Sequence, residues 1–92
     1  MSASLRVPGE VTFDADAAID AIRKEYIRAT DKFTSFNSAH EGYAVVLEEL
    51  DELWAEIKQR HPNHSAIREE AVQLAAMALR FLTDVCGVEH EP

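Results

Sequence analysis

Residues 43–57 read Tyr-Ala-Val-Val-Leu-Glu-Glu-Leu-Asp-Glu-Leu-Trp-Ala-Glu-Ile. Tyr43, Val46, Leu47, Leu50, Leu53, Trp54 and Ile57 recur at spacings of three and four. That is the period of an α-helix with an apolar stripe of coiled-coil width, and a strand would need alternation instead. The spacing predicts a helix over residues 39–60. Ser38 stands where a cap is needed, and Glu41, three positions on, has the capping-box spacing. At the far end Pro62 disfavours helical backbone at His61, so His61-Pro62-Asn63-His64 reads as a turn.

Beyond the turn a second amphipathic stretch begins, with Ser65 its expected cap, and runs to about residue 85, where Gly87 is a natural stop. Ile67, Leu74, Ala78, Phe81, Leu82 and Val85 form one stripe, while Val72, Ala75, Ala76 and Leu79 cover much of the remaining surface. A helix apolar nearly all round needs burial on more than one side. Two other helices in a chain of 92 residues offer limited cover, so a homodimer or homotetramer is expected. Upstream, Ala18, Ile19, Ile22, Tyr26 and Ala29 keep helical spacing from a cap at Asp14 or Asp16 to residues 30–32. Residues 33–39 are mostly small and polar and read as a loop. The expected fold is all-α: a three-helix protomer, with two long antiparallel helices and a shorter first one, assembling into an oligomeric helical bundle. Its single domain spans residues 13–87, between tails at 1–12 and 88–92. Leu5 and Val7 alternate with polar residues and allow a short extended segment in the first tail.

Seventeen acids against nine bases give a formal charge of −8. This argues against the basic surface that a nucleic-acid polymer requires. A phosphate ligand remains compatible, because a bound metal reverses the local sign. Cys86 is the only cysteine, so no intramolecular disulfide forms and a reducing cytoplasm is expected. No basic segment followed by an apolar run opens the chain, and no stretch is long enough to span a bilayer, so no membrane association is expected. His40, His61 and His64 straddle a helix and a proline turn and lack a metal-ligand spacing. Phe36 and Asn37, in the first loop, have the chemistry to stack on and hydrogen-bond a base; the competing reading, favoured for Phe36 because aromatics are usually structural, is that Phe36 plugs the core and Asn37 shapes a turn.

The acids are not spread evenly. On a wheel of 100° per residue, Glu49, Glu52 and Glu56 share one narrow stripe on the shoulder of the apolar face. Glu48 and Asp51 point further outward. On the next helix Glu70, Gln73 and Met77 share a stripe that also flanks the apolar face. A hairpin turning at Asn63 sets Glu52 opposite Gln73, Glu56 near Glu70 and Glu49 near Met77. Clustered carboxylates repel, and protonation, a base or a cation relieves them. No base shares these stripes, and an all-oxygen set of glutamates and an amide suits Mg²⁺ or Mn²⁺. The competing reading is an acidic helix face that is simply solvated; the shoulder position on both helices favours a site.

These residues resemble the MazG-like, all-α nucleoside triphosphate pyrophosphohydrolases. That family carries E-x-x-E on one helix and E-x-x-D on the next, a dozen or more residues later. Glu49-Leu50-Asp51-Glu52 matches the first half, and the 17 residues from 53 to 69 form the spacer. Glu70-Ala71-Val72-Gln73 matches the second half except at its last position, where Gln73 replaces the family's Asp. The run Phe36-Asn37-Ser38-Ala39-His40-Glu41-Gly42-Tyr43 is also similar to a small MazG-like subgroup, and the resemblance spans residues 33–85. It implies hydrolysis of a nucleoside triphosphate to the monophosphate and pyrophosphate, at a site built across subunits. It further implies Mg²⁺ (or Mn²⁺) held by Glu49, Glu52 and Glu70, with a glutamate (Glu49 or Glu52) or the metal itself activating water for attack at the α-phosphorus. Gln73 ligates through its amide oxygen but brings one negative charge fewer, which weakens metal binding; Glu56 is placed to compensate. Lys58, Arg68 and Arg80 are the candidates for phosphate contact. The alternative is a catalytically inactive protein of the same fold that binds a nucleotide or a protein partner.

Overall fold

A computed structural model of the protein describes residues 5–6 and 12–87. Two short strands, β1 (Leu5–Arg6) and β2 (Thr12–Phe13), pair antiparallel with Leu5 opposite Phe13 and Arg6 opposite Thr12. Three helices follow: α1 (Ala15–Lys32), α2 (Ala39–Ile57) and α3 (His64–Phe81). A π-helical turn over Leu82–Cys86 extends α3 and stops at Gly87, whose φ of +74° is a conformation that favours glycine. Apart from the small ladder, regular structure among the described residues is helical, so the all-α three-helix protomer expected from the spacing is present. The expected tails, 1–12 and 88–92, lie outside the described residues except for Leu5, Arg6 and Thr12.

Capping chemistry sets the helix starts. The Asp14 carboxylate accepts from the amide of Asp16 at 2.9 Å, which decides between the two candidate caps of α1. Ser38 Oγ accepts from the amide of Glu41 at 3.1 Å, as the capping-box spacing predicts. The Glu41 carboxylate then accepts from the amide of Asn37, one residue earlier than the standard box would have it. For α3 the cap is Asn63 and not Ser65: its Oδ1 takes the amides of Ser65 and Ala66 at 2.9 and 3.2 Å. An Asn accepts at this position as well as a Ser, and Pro62 already holds the chain extended before it. α2 ends at Ile57, a turn before residue 60, because the backbone leaves helical geometry at Lys58. In consequence α1, at 18 residues, matches α3 in length and is not the short helix of the set.

α3 is the shared partner. α1 and α2 both pack on it and make little direct contact with each other. The helix whose apolar residues run nearly all round is thus covered on two flanks within one protomer. Ala78 and Leu82 of its apolar stripe nevertheless stay exposed. Its centre is built from small or flexible side chains, Ala76 and Met77, against Ala29 of α1, with Ile22, Tyr26, Phe36, Val45 and Val46 packed around them. Alanines let the helix axes approach closely.

The apolar stripe of α2 does not stay together. Val45, Val46 and Leu53 are half-buried, but Tyr43, Leu47, Leu50, Trp54 and Ile57 face outward, with 38–64% of their surface exposed. The rotation that exposes them turns Gly42 and Glu49 toward the interior. Gly42 is buried against Phe81; a Cβ there would stand 2.5 Å from Phe81 Cδ2 and 3.1 Å from Phe36 Cδ2. Only a glycine lets the Phe81 ring lie on this turn of α2.

Arg80 locks the loop between α1 and α2 onto α3. It is 3% exposed. Its guanidinium donates to the Thr34 carbonyl at 2.6 Å, lies 3.7 Å from Asp84 and sits 4.5 Å above the Phe36 ring. Asp84 in turn accepts from the Phe36 amide at 3.2 Å. A buried guanidinium that shares its donors in this way is a structural tie, and the surface cation expected for phosphate contact is not there.

Candidate functional site

Glu49 and Glu52 stand one turn apart on α2, and Glu70 faces them from α3. One oxygen from each lies within 4.8 Å of the other two. Glu49 and Glu70 are half-buried and Glu52 is exposed, so the cluster opens to solvent on one side. Oε1 of Glu49 and Oε1 of Glu70 are withdrawn from water and have no hydrogen-bond partner. An unpartnered buried carboxylate oxygen is costly, since desolvation of a charged acceptor is not repaid.

The electrostatics follow from that arrangement. The Glu49 carboxyl is pushed up to about 7, mainly by burial and then by the charges of Glu52, Glu70 and Glu48. Glu70 is also raised, by burial first, then by Glu52, with Glu56 and Glu69 adding to the field. Glu52 lies within proton-sharing reach of both. Among the described residues no Lys or Arg forms an ion pair with Glu49, Glu52, Glu56 or Glu70. Two orphaned oxygens and an all-oxygen donor set fit a hard divalent cation. Glu49, Glu52 and Glu70 would hold such an ion, and it would supply Lewis-acid chemistry there.

The other residues singled out in the sequence stand beside and beyond this cluster. Glu56 is half-buried and close enough to raise Glu70. Gln73 lines a groove between α1 and α3, together with Arg68, Ser65, Ala21 and Glu25. Lys58 is exposed just past the end of α2. Phe36 packs against the core beneath Arg80, as the structural reading of that ring expects, and Asn37 is exposed with its amide held by Glu41. Phe36 meets α2 at Gly42, seven residues before Glu49, or about 10 Å along the helix axis.

The sequence reading missed the tie formed by Arg80, Asp84 and Phe36. A signal existed: Arg80 and Asp84 are four residues apart on a helix, flanked by Ala76, Met77 and Phe81. A charged pair inside an apolar stripe points inward with it. No family model, curated protein or solved structure matches the chain.

Proposed function

We propose that the protein hydrolyses a nucleoside triphosphate to the monophosphate and pyrophosphate, in the manner of the MazG-like enzymes it resembles. The observation that carries this reading is the convergence of Glu49, Glu52 and Glu70 with two buried, unpartnered oxygens. Bound there, Mg²⁺ or Mn²⁺ would screen the triphosphate charge and supply a Lewis acid. The chain's own part is to hold that charge in place: Glu49 and Glu70 are fixed by the packing of α2 on α3, and Glu52 stands at the open side where substrate and water arrive. Glu49 or Glu52 takes the proton from the water that attacks the α-phosphorus, and the bond to the bridging oxygen of pyrophosphate breaks. Glu56 adds the negative charge that Gln73 withholds. The working form is a homo-oligomer.

The test is an assay for pyrophosphate release with canonical and modified nucleoside triphosphates, plus Mg²⁺ or Mn²⁺. Turnover that Glu49→Gln and Glu70→Gln each reduce by about two orders of magnitude or more supports the reading. An absence of turnover on the whole panel, with no thermal shift on adding metal, removes it in favour of a non-catalytic helical binding protein.

A further inference from the structure

We infer that the outward face of α2 is the contact surface for a second copy of this chain. The inference names the surface behind the homo-oligomer proposed above and does not depend on the hydrolase chemistry. Tyr43, Leu47, Leu50, Trp54 and Ile57 follow one another at spacings of four, three, four and three. They are 64, 38, 47, 56 and 43% exposed. That spacing keeps one seam straight along four turns and is the seam on which a like helix packs, knobs into holes.

Three observations select a second copy over another occupant. The seam contains no charged residue, so nothing in it specifies a partner of complementary charge, and it is a patch on which two like-charged copies meet without opposing ions. It is also extended: five large apolar side chains, each 38–64% exposed, line four turns and offer a substantial share of the roughly 800 Å² per partner of a standard interface. Finally, the protomer needs it. Among the described residues no large side chain is fully buried, and the buried apolar core is Ala29, Ala76 and Met77. A domain of this length gains little from so thin a core, and packing α2 against α2 adds the missing apolar layer.

Trp54 lies in the seam and is the only tryptophan. Sedimentation of the full chain therefore combines with its fluorescence. The expected result is a species of twice the protomer mass in which acrylamide quenches Trp54 several-fold less than in the monomer reached by dilution or by Leu50→Glu. Leu50 is outward-facing, so Leu50→Glu keeps its helical circular dichroism while losing the dimer. A chain that stays monomeric at all concentrations overturns the inference, as does an oligomer in which Trp54 remains freely quenched. A Leu50→Glu variant that still associates overturns it too. Each of these readouts is independent of nucleotide turnover, so failure of the hydrolase chemistry leaves them standing; a monomeric chain removes the homo-oligomer from the proposed function and leaves the pyrophosphate assay to decide its chemistry.

Discussion

Glu49→Gln separates a site held under electrostatic tension from an ordinary acidic face. The Glu49 carboxyl is raised from 4.5 to about 7, burial first and neighbouring carboxylates second. A carboxyl that is harder to ionise folded than unfolded keeps its proton longer in the native state. Native protein therefore binds more protons than unfolded protein between about pH 4.5 and 7, and stability falls as pH rises through that window. Above it the loss is complete and level. Taken at face value the shift corresponds to about 3 kcal/mol, and solvent screening at a half-buried group reduces this to roughly 1–2 kcal/mol. A neutral amide of the same shape removes the loss. At pH 8 without metal the variant should melt higher than the parent, by about 5–10 °C for a domain of this size. At pH 4.5 the two should coincide. Differential scanning calorimetry at fixed protein concentration, in chelator, measures both. A Glu49→Gln protein that melts below the parent at pH 8, or a parent whose melting point does not fall between pH 5 and 8, refutes the reasoning, because Glu49 would then be a stabilising contact.

Other consequences follow from the same packing. Gly42→Ala drives a methyl group into the Phe81 ring, and overpacking of about 1–3 kcal/mol should exceed the roughly 1 kcal/mol that alanine adds to a helix; urea denaturation should show a net loss. Arg80→Met keeps apolar volume but strands Asp84 and frees the Thr34 carbonyl, with an expected loss of about 3 kcal/mol. Hydrogen exchange at the Phe36 amide, which Asp84 holds, should rise in that variant before the rest of the chain responds. Mg²⁺ binding at pH 7 should release on the order of half a proton, since Glu49 near pH 7 is half protonated and a ligand must be ionised. Calorimetry in buffers of different ionisation heat reads this directly, with larger release at pH 6 and almost none at pH 8.5.

Helix positions were legible because each rests on local chemistry. Ser38 with Glu41, Pro62 and Gly87 act within a few residues of themselves, so the ends of α2 and α3 fell within a turn of their expected places. Which faces meet was harder to read. The wheel for α2 showed one broad apolar stripe, yet tertiary packing split it, because the residue that admits Phe81 is Gly42, on the glutamate side of the helix. A glycine adds nothing to a hydrophobic pattern, so its weight in choosing the buried face was invisible. Likewise α3 looked apolar all round, and what the pattern could not show is that its two flanking helices meet it through residues as small as Ala29 and Ala76. The site was legible where helical geometry alone decides it: Glu49 and Glu52 are one turn apart, and the hairpin brings Glu70 to them. Gln73 lines a groove with Ala21 and Glu25 of α1, a helix that a two-helix picture leaves out.

The metal site is tested most directly by anomalous diffraction from crystals of the protein soaked in Mn²⁺. A single strong peak enclosed by Glu49, Glu52 and Glu70, absent in Glu70→Gln crystals, is the expected result. Manganese found elsewhere, or no peak at these carboxylates in a crystal where they are open to solvent, would contradict it.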